Sequence, residues 1–196
     1  MKSFVTNRVT PQAKIVNTNN RFGNNGIKKM QGSTVILYDT LPLTGSELRF
    51  FEGAQSRNFP ETNCNDIGNR LAVGSSMAIE SINLSIVTKD ADGKVIAITP
   101  LSNATDVGIL QSEIKITVAN TEVVKKIPVL EWIPDFNVMA DNQLCATYEF
   151  STQVVLPPLL EFIVSCRLGD YTAVENTSLR LTIAGAGAII APQRTF

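Results

Sequence analysis

Ten short runs of β-branched and aromatic residues, separated by turn residues, follow one another between residues 34 and 190, and no segment carries a helical stripe of ten or more residues. The runs are "TVILYDT" (34–40), "ELRFF" (47–51), "RLAV" (70–73), "MAIESINLSIVT" (77–88), "KVIAIT" (94–99), "SEIKITVAN" (112–120), "EVVKKIPVL" (122–130), "ATYEFSTQVVL" (146–156), "LEFIVSCRL" (160–168) and "LRLTIAGAGAII" (179–190). "DNQLCATY" (141–148) could make one helical turn at most. The chain is therefore expected to be all-β, with eight to ten strands.

Alternation within the runs separates a buried face from an exposed one. Ile114, Ile116 and Val118 alternate with Lys115, Thr117 and Ala119. In 77–88 the parity shifts near Ser81, after which Ile82, Leu84 and Ile86 form the apolar row. One packed face and one solvated face mark antiparallel sheets. Asp92-Gly93 in "TKDADGKV" predicts a tight hairpin, because glycine accepts the positive φ of such turns. Asp90 and Asp92 also open like a calcium loop, but the third ligand, the terminal glutamate and the flanking helices of an EF-hand are missing.

About eight antiparallel strands must close their edges or stack as two sheets. Long strands joined by long loops favour an antiparallel β-sandwich of the single jelly-roll type. An immunoglobulin-like sandwich is the competitor, but at about 100 residues it leaves much of a 196-residue chain unexplained.

Charge divides the chain. Residues 1–30 hold Lys2, Arg8, Lys14, Arg21, Lys28 and Lys29 and no acid, a net +6; of 17 basic and 18 acidic residues in all, 11 and 18 remain, leaving −7 on residues 31–196. The Asn-rich segment has no apolar period, so the expected organisation is an extended basic arm (1–30) and a single β-sandwich domain (31–196). The arm is either a tail without a role or a segment that orders against neighbouring subunits or an anionic surface, with the six cations as its candidate contacts. The N-terminal stretch lacks the apolar core of about 7–15 residues that a secretory signal needs, and no run approaches the roughly 20 residues of a membrane span. The chain is expected to remain in the cytoplasm in which it is made. Cys64, Cys145 and Cys166 have no metal or disulfide spacing and are expected to be buried or incidental thiols.

No histidine occurs, which removes the commonest general base and most catalytic zinc or iron sites. Carboxylates are plentiful, but no pair is singled out for glycoside hydrolysis. "AGAGA" (184–188) lacks the lysine and helix of a phosphate loop, and its small residues suit close approach of another backbone. The expectation is no enzyme, no cofactor, no metal and no small-molecule substrate.

What remains are candidate contact residues. "LRFFEGAQSRNFPETN" (48–63) places Phe50 and Phe51 before a polar loop, and adjacent strand residues point to opposite faces, so Phe51 is the candidate outward residue. Phe59 and Pro60 form the loop's only apolar tip. Trp132 in "VLEWIPDF" fits a core lid, a contact to another chain or a sugar-stacking platform. Pro157 and Pro158 in "VVLPPLLEF" break a strand into an apolar corner suited to a subunit seam.

The double aromatic at Phe50 and Phe51, Thr62-Asn63, Leu71 with Gly74 and Ser75, and the alternating strand from Ile79 to Ile86 together resemble the early part of single jelly-roll capsid proteins of tailless icosahedral bacterial viruses. The resemblance covers residues 34–90, about a third of the chain. It implies a coat subunit that assembles with copies of itself into capsomers of an icosahedral shell, with a second capsid protein as a further partner. It also implies a virion location, with assembly in the host cytoplasm and arm contact to an internal membrane or nucleic acid. The charged fraction of 18%, below the roughly 25% usual for soluble domains, fits a body covered by neighbours. The alternative is a virion spike or receptor-binding, lectin-like module using Trp132 or Tyr171.

Overall fold

A computed structural model describes residues 30–102, 105–132, 147–171 and 175–190. The predicted arm contacts Lys2, Arg8, Lys14, Arg21, Lys28 and Lys29, and also Cys145, lie outside these residues.

Among the described residues, nine strands form two antiparallel sheets. In the first, β1 (Met30–Pro42) pairs with β9 (Thr177–Ile190), and β9 with β3 (Ser75–Lys89). The far edge of β3 is shared end to end by β7 (Thr147–Leu156), opposite 77–83, and β4 (Val95–Pro100), opposite 85–89. The second sheet has the order β2 (Glu47–Phe50), β8 (Phe162–Arg167), β5 (Glu113–Val118), β6 (Thr121–Pro128). The all-β expectation holds, as a β-sandwich. Of the ten predicted runs, 70–73 is not a strand: Arg70 and Leu71 make only single bridges, to Glu161 and Pro158.

Inward rows of the two sheets meet in one core. Leu37, Ile183 and Ile82 stand abreast in the first sheet, and Leu48, Cys166 and Ile114, then Phe50, Val164 and Ile116, in the second. Ile114, Ile116 and Val118 are all buried, as their alternation predicts. The parity change in β3 is a bulge between Ile79 and Ser81 against β9, and the register with β7 breaks at the same place. Met77 and Ile79 face the core before it; Ile82 and Leu84 do so after it, with Ile86 partly buried beside them. One extra residue thus moves the whole inward set by one position.

Next to the bulge, β9 carries Gly185. A Cβ on Gly185 would lie 2.1 Å from the carbonyl oxygen of Ala78, so β3 and β9 meet there only because the side chain is missing. At the predicted hairpin, Gly93 has φ 79° and the Asp90 carboxylate accepts the main-chain N–H groups of Asp92 (3.0 Å) and Lys94 (2.8 Å).

Cys64 and Cys166 are free and buried, and desolvation pushes both thiols up to about 12 from an ordinary value of 9.0. Between those values the unfolded chain releases these protons and the folded chain holds them, so stability must fall as pH rises from about 9 toward 12. In a Cys145→Ser variant, a thiol reagent at pH 8 should leave the native protein unlabelled and label two thiols in denaturant. Rapid labelling of the native protein would contradict the burial.

Candidate subunit-contact surface

The inward row of β1 reads Val35, Leu37, Asp39, Leu41, and its third member is a carboxylate with 0% exposure, abreast of Leu181 and Leu84. An unpaired charge there would cost several kcal/mol. The loop 52–63 supplies the partner. Arg57 grips Asp39 with two bonds, Nη2 to Oδ2 at 2.6 Å and Nε to Oδ1 at 3.1 Å, and the Phe51 N–H donates to Oδ2 at 2.6 Å. Nη2 of Arg57 also donates to the Glu52 carbonyl at 3.1 Å. This fork matches the carboxylate plane, which lysine could not do.

The grip requires the chain to leave the pleat directly after β2. Phe51 has φ 69°, so it does not continue the alternation: Phe50 and Phe51 are both 0% exposed, and the Phe51 ring packs 5.2 Å from that of Phe162. The expectation of an outward Phe51 is corrected, because the strict strand period ends one residue earlier. A 3₁₀ turn, Ala54–Ser56, then buries Ala54 and brings Arg57 back toward β1.

Beyond Arg57 the chain crosses to the outer side and is held there by Arg180, Lys89 and the main chain of β1. Arg180 of β9 donates Nη2 to the Pro60 carbonyl at 2.8 Å and Nε to Thr40 Oγ1 at 3.0 Å, with its guanidinium 4.7 Å from the centre of the Tyr38 ring. Lys89 Nζ meets Glu61 Oε1 at 2.5 Å. Asn63 completes the free edge of β1: its Oδ1 accepts the Tyr38 N–H at 2.8 Å and its Nδ2 donates to the Ile36 carbonyl at 2.7 Å. The side chain does what a further strand would do, which closes that stretch of edge to other chains.

Between these fixings Phe59 is 79% exposed, and Pro60 is exposed beside it. Phe59, Pro60 and Glu61 form one wall of an open cleft, and Lys89, Lys94 and Val95 form the other. The cleft leads to β4, whose Ile96 and Ile98 are 63% and 49% exposed and whose outer edge pairs with no other strand among the described residues. The other predicted contacts lie elsewhere. Trp132 is 2% exposed with its ring 5.9 Å from that of Tyr148, the core-lid arrangement, so it is corrected as a surface contact. Pro157 is buried and Pro158 half-buried, in the break between β7 and β8, where Leu159 and Leu160 carry the exposed apolar surface instead.

Sequence reasoning passed over Asp39, Arg57, Ile96 and Ile98. The signal for Asp39 was present as an acid at an inward position between Leu37 and Leu41. Nothing in the local sequence marks Arg57 as its partner. Among the described residues, no group of three or more histidine, cysteine, aspartate or glutamate side chains could hold a metal ion. No protein-family profile matches the sequence, and no curated protein matches it.

Removing Arg57 strands a buried carboxylate, whereas removing Lys89 breaks a more exposed pair. Denaturant titration should therefore show Arg57→Ala losing about 3 kcal/mol and Lys89→Ala losing under about 1 kcal/mol. Equal losses would contradict the ranking.

Proposed function

We propose that the chain is a structural coat subunit that assembles with copies of itself, and that its sandwich is a single jelly roll. The observation carrying this reading is the strand order. With β4 set aside as an added hairpin strand, the eight remaining strands make two four-stranded sheets, β1-β9-β3-β7 and β2-β8-β5-β6. The first and last strands are neighbours in one sheet, and β2 and β8 are neighbours in the other. Two nested Greek keys give this order, and the fold recurs in viral capsid and lectin domains. Fold alone does not specify a role.

The surface favours the coat role over the lectin-like one. A subunit needs rigid apolar points from which lateral contacts of on the order of 1,200–2,000 Å² are built, and Phe59 is such a point, held on both sides by ion pairs and hydrogen bonds. The aromatic most suited to stacking on a sugar, Trp132, is buried. Shell, capsomer and virion location follow from this reading, as do the bacteriophage source and arm contacts to membrane or nucleic acid.

Mass measurement after size exclusion, over a series of concentrations, tests it. Discrete closed oligomers are expected, and Phe59→Ser should weaken their assembly about tenfold or more, as loss of an apolar anchor does at interfaces, without lowering the stability of the subunit. A chain that stays monomeric throughout would overturn the proposal.

A further inference from the structure

β4 reads Val95-Ile96-Ala97-Ile98-Thr99-Pro100, without a charge, and its residues from Ile96 to Thr99 are exposed. Its inner edge pairs with β3, and its outer edge pairs with no strand among the described residues. Such an edge offers main-chain donors and acceptors beside apolar side chains, and proteins that stay apart blunt it. The other described edges of the sandwich are blunted. Asn63 covers β1 at Ile36 and Tyr38, and the stretch before them, Gln31 to Thr34, holds no apolar side chain. β2 is four residues long with Glu47 and Arg49 exposed. β6 carries exposed Lys125 and Lys126 at a break in its register, where Lys126 has φ 32°. β7 leaves its ladder over residues 150–153, between Glu149 and Val154. Among these edge strands, β4 is the one with no charged residue.

The shape of the β4 surface selects its partner. Leu84 and Ile86 of β3 face the core, so Val87 and Lys89 point outward, on the side where Lys89 meets Glu61. Ile98 pairs with Val87 and shares that outer face. Phe59 stands across the cleft from Val95. The exposed apolar points therefore lie toward opposite ends of one strand, Phe59 beside its start and Ile98 toward its finish. A two-fold axis perpendicular to the sheet brings the Ile98 end of each copy beside the Phe59 of the other, so a single operation covers both points twice. A foreign strand would have to supply a separate match for each.

The register follows from the bulge in β4. Ile96 is an extra residue between two pairs, Val95 with Lys89 and Ala97 with Thr88, so the regular stretch free of proline is Ala97 to Thr99, centred on Ile98. With the axis there, Ala97 faces Thr99 of the second copy. Pro100, which has no N–H to donate, then falls opposite the bulged Ile96, where the ladder is already interrupted. Lys94 lies outside the paired stretch, so no like charges meet within it.

We propose, resting on the coat reading, that two copies join β4 to β4, antiparallel about a two-fold axis at Ile98. The first sheets of the two subunits become one continuous sheet, and each Phe59 packs against the Ile98 to Pro100 end of the other copy. The contact is isologous and closes as a dimer, so a shell needs a second, different contact to link dimers.

An Ile98→Cys variant of the full chain carrying Cys145→Ser tests this, because Cys64 and Cys166 are buried and stay out of reach. Opposite residues of an antiparallel pair stand about 4.5–5.5 Å apart, within the span of about 4.4–6.8 Å that a disulfide bridges, so mild oxidation of the native protein should link most of it as dimers. Asp92, at the hairpin turn, lies roughly 40 Å from its copy at about 3.3 Å per residue. Asp92→Cys should therefore give no linked dimer, and a spin label there should report that separation. Ile96→Lys added to Ile98→Cys should lower the dimer yield about tenfold by setting a charge in the seam, with the circular dichroism of the fold unchanged. Closed oligomers in which Ile98→Cys stays unlinked, or linkage of Asp92→Cys as fast as of Ile98→Cys, would overturn the pairing and leave the coat reading in place. A chain that stays monomeric overturns both.

Discussion

The carboxylate of Asp39 is the constraint around which the surface of this molecule is arranged. It sits on the core-facing side of β1 between Leu37 and Leu41 and abreast of Leu181, and it is tolerable only because three donors reach it. Two of those donors belong to Arg57 and the third to the main chain of Phe51, so satisfying one buried charge determines the path of the connection from β2. Phe51 must turn out of the strand, Ala54 must pack inside, and the chain must return to β1 before it can continue toward β3.

That return path decides which edges stay open. Thr62 and Asn63 cover part of the edge of β1 that β9 does not, bonding to the main chain of Ile36 and Tyr38. Among the described residues β4 has no such cover, and it presents isoleucines where an edge strand usually carries charges or proline. Phe59 stands between the closed edge and the open one. In the proposed coat role, a closed edge beside an open apolar one would let a subunit join its neighbours in one way and not in others.

The fold was legible in the sequence wherever one residue's face could be inferred from its neighbours. The alternation of β5, the parity change at Ser81 and the turn at Asp92-Gly93 are all local signals, and each is present as read. The small residues of 184–188 were legible too, since Gly185 is where the backbone of β3 comes closest. The failures share one cause. Phe51 was placed by a period that β2 abandons after Phe50, and residues 70–73 have strand composition without a partner to make them a strand. Trp132 could not be assigned because its burial depends on Tyr148, which comes from another strand. The ion pair of Asp39 and Arg57 joins residues 18 apart through a loop whose course only the tertiary structure defines.

Hydrogen–deuterium exchange in an Arg57→Ala variant measures this dependence most directly. Amides of residues 51–62, including those of Phe51, Ser56 and Glu61 that are bonded in the native loop, should lose protection, while β3 and β9 keep theirs. Unchanged protection in the loop, or loss spread evenly over loop and sheets, would show that the buried carboxylate does not hold this surface in place.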